Sequence, residues 1–146
     1  MQNFRRDLRV RALALSLLIA DAPADMPNVT LMMPAAQARS YERSFVGSAT
    51  TSMLEQLTFD TTFLTVGGVD VDAGYTEYEF DDAETKKAAL RSARRKIIGA
   101  GSSRIGAVSF VRVCHTSTID ILVTDSAAPA DAVDALRLAG AEVILA

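Results

Sequence analysis

Three stretches of this chain combine residue types that can hold an anion, and a fourth invites a nucleophilic reading. Gly67-Gly68 and Gly74 bracket an acidic segment, Val69-Asp70-Val71-Asp72-Ala73. Glycines at a strand end let backbone N–H groups approach a ligand closely, as phosphate sites require. The spacing matches neither the dinucleotide nor the nucleoside-triphosphate fingerprint, so a plain turn competes with the phosphate reading. Asp70 and Asp72 would repel an anion directly and could only face the hydroxyls of a sugar phosphate. Gly101-Ser102-Ser103-Arg104 offers backbone amides, two hydroxyls and a guanidinium that can donate two parallel hydrogen bonds to phosphate, against the alternative of a surface turn. Asp82 and Lys86 stand at i and i+4, which is a surface ion pair or part of a polar site. Cys114-His115 has the types of a thiolate–imidazole couple. Neighbours on a strand point to opposite faces, which disfavours the pairing.

These residues need elements to position them, and the hydrophobic pattern predicts alternating strands and helices. Val10 to Leu15 reads as a strand leading into a short helix that ends near Ala20, and the pair is expected to be buried. Val29 to Met33 is a short strand halted by Pro34. Ser48 is placed to N-cap a helix over Ala49 to Leu57. Thr61 to Val66 is β-branched and aromatic and reads as a buried strand stopped by Gly67-Gly68. Asp82 to Lys96 is Ala-rich and predicts a helix with Ala83, Leu90, Ala93 and Ile97 turned inward. Ile97 to Ala100, Ser109 to Val113 and Ile119 to Val123 are further strand candidates. Pro129 opens a last helix that Gly140 closes, before a strand at Glu142 to Leu145. The class expected is α/β, with a mainly parallel sheet flanked by helices and ligands beyond the carboxyl ends of its strands.

The length of 146 residues fits one domain, and 49% hydrophobic with 23% charged residues excludes a disordered or low-complexity chain. One cysteine and one histidine leave no disulfide and no Cys/His zinc set, so the fold must rest on packing; no metal and no cofactor is expected. The net charge of −3 disfavours broad electrostatic binding to nucleic acid. Charge is nevertheless segregated: residues 55–84 carry nine acids and no base, and residues 86–112 carry eight bases and no acid. That division reads as a solvated surface or as complementary contacts between copies in an oligomer. Arg5, Arg6, Arg9 and Arg11 ahead of Ala12 to Ala20 superficially resemble a secretory signal, but the run is short and flanked by Asp7 and Asp21. A cytoplasmic protein without a membrane span is expected.

Five ordered pieces carry a family resemblance. Phe45-Val46-Gly47-Ser48-Ala49, Phe59 through Asp70 with Gly74-Tyr75-Thr76, Asp82-Ala83-Glu84-Thr85-Lys86-Lys87-Ala88, Ser102-Ser103-Arg104-Ile105-Gly106 and Ile119 through Asp125 together resemble the C-terminal sensor domain of DeoR-family transcriptional regulators. The resemblance spans roughly residues 8–146. It implies a fold similar to ribose-5-phosphate isomerase and CoA-transferases, an effector that is a phosphorylated sugar or related metabolite, and oligomer formation. It implies DNA binding only through a winged helix-turn-helix that this chain does not show. It further places Gly67, Gly68, Asp70, Asp72, Asp82, Lys86, Ser102, Ser103 and Arg104 at or near the effector, with no catalytic residue.

The sequence departs from the family pattern in several places. The first strand and helix of the sensor domain, with its Asp-Ser-Gly-Thr-Thr loop, are not represented, so the chain is expected to begin partway through the domain. The family's Gly-Gly near residue 34 reads Pro34-Ala35, and its Asp-Ser-Ser-Lys reads Gly101-Ser102-Ser103-Arg104. The expected role is effector sensing and oligomerisation for a regulator of carbohydrate metabolism. The alternatives are a sugar-phosphate isomerase-like enzyme, with Asp70, Asp72 or Asp82 as base beside Arg104, and a ligand-free assembly partner of intact regulators.

Overall fold

The computed structural model describes residues 7–146, which form two compact units divided after Met53. Arg5 and Arg6 of the basic run lie outside the described residues.

In the first unit, strand β1 (Val10–Leu13) and strand β2 (Val29–Met32) pair in parallel, in register from Val10 with Val29 to Leu13 with Met32. Helix α1 (Leu17–Ala24) joins them, and its N-cap Ser16 accepts a hydrogen bond from the Leu18 amide at 3.2 Å. The apolar run thus divides into a strand and a helix as expected, but neither is buried as expected, for β1 is at most half-buried. Ala20 and Pro23 are enclosed, whereas Leu17, Leu18 and Ile19 are exposed. Among the described residues no helix is long and apolar enough to cross a membrane. Helix α2 (Ser48–Glu55) starts one residue earlier than predicted, with Ser48 inside it after Gly47 at φ +93°.

The second unit, Leu54–Ala146, holds the chemistry. Its elements in chain order are β3 (Phe59–Thr65), β4 (Gly68–Asp70), β5 (Gly74–Glu77), α3 (Phe80–Arg91), β6 (Ala93–Gly99), β7 (Val111–Cys114), β8 (Ile121–Thr124), α4 (Ala130–Leu138) and β9 (Glu142–Leu145). Strands β3, β6, β8 and β9 form one four-stranded sheet in that order, and every pair is parallel. Parallel neighbours need long crossovers, and each crossover here carries helical or strand elements back to the sheet's starting edge. Leu64, Ile98, Leu122 and Val143 stand side by side across the four strands and are all buried, which makes them the central core layer. The opposite face includes Phe63, 72% exposed, and Ile144, and a side chain at Gly99 would meet nothing within 4 Å.

Two differences from the sequence reading have clear causes. The helix expected over Asp82 to Lys96 ends at Arg91, and Ala93 to Gly99 is strand. Arg94, Arg95 and Lys96 are good helix formers, but the parallel ladder from Phe59–Ala93 to Thr65–Gly99 takes them, so tertiary pairing overrides local propensity. Ser92 makes the turn, its Oγ donating to the carbonyls of Ala88 (2.9 Å) and Leu54 (2.7 Å). The acidic segment bracketed by Gly68 and Gly74 is not an open loop. It is a hairpin, β4 and β5, which pairs onward with β7 as a three-stranded antiparallel sheet. Helix α3 packs against strands of both sheets, which explains why Asp82, Ala83, Thr85, Ala88, Ala89 and Leu90 are all buried. Pro129 is the N-cap of α4 rather than its first helical residue, and Gly140 closes that helix at φ +98°.

Candidate functional site

Because β3, β6 and β8 are parallel neighbours, the residues that follow them emerge along one edge of the sheet. These are Gly67 after β3, the 3-10 turn Ser102–Arg104 after β6, and Asp125 after β8. Two sets of contacts join them. Arg104 Nη1 donates to the Gly67 carbonyl at 3.4 Å and to the phenol oxygen of Tyr78. On the other side, the Ser102 amide donates to Asp125 Oδ2 at 2.6 Å, and the Ala127 amide donates to Asp125 Oδ1 at 3.0 Å. The Ser102 amide bond is the largest influence holding the Asp125 carboxyl below the usual carboxylate range. The Ser102–Arg104 turn is therefore pinned at both ends, by Asp125 through its first amide and by Gly67 through its last side chain.

Gly67 is closely approached by two side chains. A Cβ there would lie 2.8 Å from Tyr78 Cε2 and 2.9 Å from Ser109 Oγ. Gly68 is a buried strand residue whose Cβ would fall 2.3 Å from the Ala107 carbonyl oxygen. Both glycines thus permit close approach of protein to protein. Asp70 lies two residues further along β4, roughly 7 Å by strand rise. Its Oδ1 accepts from the amides of Asp72 (2.9 Å) and Ala73 (2.8 Å) and so shapes the hairpin turn. Asp72 is exposed on that turn. The structure brings Gly67 to Arg104 and sets Asp70 and Asp72 at the other end of the hairpin.

Lys86 lies on α3 four residues after Asp82, in the spacing the sequence indicated. The charge facing it, however, is one the sequence reading missed: Lys86 Nζ donates to Glu77 Oε1, at the end of β5. Both side chains are largely enclosed, which makes the pair costly to break on one side. Glu77 Oε2 also accepts from the Tyr78 amide at 3.2 Å. Tyr78 thus borders both groups, its backbone amide on Glu77 and its phenol oxygen on Arg104, with the apolar ring between the two polar contacts. No spacing rule pairs Glu77 with Lys86, because they meet only once β5 lies beside α3. Asp82 is buried in the first turn of α3, where a negative charge favours the helix dipole.

Cys114 ends β7, and His115 caps the following 3-10 turn. Burial pushes the Cys114 thiol up to about 11, so almost none is thiolate at neutral pH. Cys114 is thus an inert wall residue opposite Tyr75.

The sequence profile of the DeoR C terminal sensor domain matches residues 1–126. The chain belongs to that family. A protein of Escherichia coli O157:H7 named as an aga operon transcriptional repressor is 30% identical over 141 residues, 97% of this chain and 52% of that protein. The HTH-type transcriptional regulator GlpR of Haloferax volcanii is 30% identical over 106 residues, covering 73% of this chain and 42% of that protein. The glycerol-3-phosphate regulon repressor of Escherichia coli K12 is 22% identical over 127 residues, 87% of this chain and 50% of that protein. The chain spans about half the length of the curated relatives it matches. Within this DeoR sensor domain, the α/β architecture with its parallel central sheet is the one the alternating strand and helix pattern predicted.

Proposed function

We propose that this chain is the effector-sensing and oligomerisation part of a DeoR-type transcriptional regulator of carbohydrate metabolism, with a phosphorylated sugar as effector. The supporting observation is the pinned Ser102–Arg104 turn at the carboxyl edge, held by Asp125 at Ser102 and by the Gly67 carbonyl at Arg104. Both described Arg104 bonds use Nη1, which leaves Nη2 and Nε to donate to an anionic oxygen. Lys86 is assigned to the site by the family motif, and its partner Glu77 directly precedes Tyr78, whose phenol oxygen takes the Arg104 bond. Asp82, on the helix of Lys86, is a supporting residue, while Gly68, Asp70 and Asp72 act by shaping the hairpin. Operator contact falls to a winged helix-turn-helix of the kind the family carries, and the protein works in the cytoplasm.

We read it as a sensor and not an enzyme because the carboxylates nearest the turn are already engaged. Asp125 is held by two amides, and Glu77 by Lys86 and the Tyr78 amide. Neither is poised to take a proton from a bound sugar. Calorimetric titration with ribose 5-phosphate, glucose 6-phosphate, glycerol 3-phosphate and inorganic phosphate tests the reading. Saturable binding of a sugar phosphate, lost in Arg104→Met, is expected. Absence of binding at millimolar concentration refutes the sensing role, and turnover of ribose 5-phosphate refutes the non-enzymatic one. Light scattering that detected only monomers would refute oligomerisation.

A further inference from the structure

Tyr78 is an exposed aromatic residue that is nevertheless held on several sides. It leaves β5 and enters α3, with its amide donating to Glu77 Oε2 at 3.2 Å. Its ring edge lies against the Gly67 backbone, so close that a single added carbon on Gly67 would stand 2.8 Å from Cε2 and 3.0 Å from Cδ2. The Arg104 guanidinium carbon is 5.5 Å from the ring centroid, and Nη1 donates to the phenol oxygen. Despite these restraints the residue is 56% exposed. Single exposed aromatic residues are common, and most are free to change rotamer. This ring is held in place by the Arg104 bond and by its contact with Gly67, so a molecule lying on it meets a positioned surface.

The chemistry around the ring defines what would lie there. Arg104 supplies donors for an anionic group beside the ring, and the ring supplies a flat apolar surface of the size of one sugar ring. A cyclic sugar has a face of C–H groups that can cover an aromatic ring while its hydroxyls stay hydrogen-bonded at the rim. An acyclic three-carbon phosphate can satisfy Arg104 but has no such face. We propose that Tyr78 is the specificity-determining residue of this site, selecting ring-form sugar phosphates over acyclic ones. The proposal rests on the sensing role argued above.

The test measures a ratio of affinities. Glucose 6-phosphate, glycerol 3-phosphate and inorganic phosphate are titrated calorimetrically into the wild-type chain, Tyr78→Phe and Tyr78→Ala, with near-UV and far-UV circular dichroism recorded for each. Glycerol 3-phosphate, which appears in the name of one relative, is the acyclic comparator. Wild type and Tyr78→Phe are expected to prefer glucose 6-phosphate by about tenfold, the size of one aromatic contact. Tyr78→Ala is expected to bring the two organic phosphates level and to leave inorganic phosphate within about twofold. A purely structural role for Tyr78 would weaken all three ligands together and overturn the proposal, as would a preference that survives in Tyr78→Ala or is missing from wild type. If none of the three ligands binds the wild-type chain, the sensing role itself fails, which is a separate outcome from the loss of selectivity alone.

Discussion

The same substitution at two strand glycines should move stability in opposite directions. At Gly68 an alanine Cβ would stand 2.3 Å from the Ala107 carbonyl oxygen, 2.9 Å from its carbon and 2.8 Å from Thr76 Oγ1. Ordinary carbon contacts lie near 3.5–4 Å, so about 1 Å has to be recovered by moving backbone. That backbone is anchored. Gly106 donates to the Val69 carbonyl at 2.7 Å, Ala107 donates to the Arg104 carbonyl at 3.2 Å, and Ser109 donates to Thr76 Oγ1 at 2.8 Å. Gly68→Ala should therefore cost about 2–3 kcal/mol, the upper part of the range for overpacking. For a chain of this size that corresponds to a fall in Tm of roughly 5–10 °C. Gly99 is the counterpart. It lies in β6, its φ is not in the left-handed region, and its Cβ would meet nothing within 4 Å. Gly99→Ala should gain about 0.4–1 kcal/mol by reducing the freedom of the unfolded chain. Urea and thermal denaturation followed by circular dichroism measure both. Equal midpoints for Gly68→Ala and wild type, or shifts of the same sign in the two variants, would refute the packing argument.

Three further outcomes follow from named contacts. Thr124 Oγ1 is buried without a hydrogen-bond partner, so Thr124→Val should raise the urea midpoint by an amount equivalent to about 1 kcal/mol. Lys86→Met leaves Glu77 enclosed and uncompensated and should destabilise by about 3 kcal/mol; adding Glu77→Gln should restore part of that loss, as a double-mutant cycle will show. The Asp125 carboxyl is held below its ordinary value of 3.8, so its contribution to stability is present above that pH and disappears as pH falls through the lowered value. Wild type should thus exceed Asp125→Asn in urea midpoint at pH 6 by a gap that narrows as the pH is lowered below 3.8, and a gap of constant size throughout would contradict the Ser102–Asp125 bond.

Much of the fold could be read from the chain because its strongest elements satisfy local and global preferences together. Thr61 to Val66 supplies a strand as its β-branched residues favour, but β3 is an edge strand in which Leu64 alone is buried and Phe63 is exposed, not the buried strand expected; Pro129 and Gly140 bracket α4 as their backbone restrictions require. The readings that failed are those in which a distant partner outweighed local preference. Arg94, Arg95 and Lys96 became strand through the β3 ladder. The Gly68–Gly74 segment became a hairpin because β7, some 40 residues later, offers it an edge to pair with.

The chain alone determined the family and the class of fold, since five ordered motifs and a periodic pattern are properties of sequence. It also located the Ser102-Ser103-Arg104 turn, because a strand followed by small polar residues and a cation has local meaning. Tertiary structure decided which groups share a site. Glu77 faces Lys86, Asp125 takes the Ser102 amide, and Tyr78 lies between Gly67 and Arg104 only after parallel strands have aligned their carboxyl ends. Those pairs are separated by 9, 23 and 26 residues. At such separations a side chain's partner is set by strand order and register, which depend on the whole core and leave no mark in the spacing of the two residues themselves.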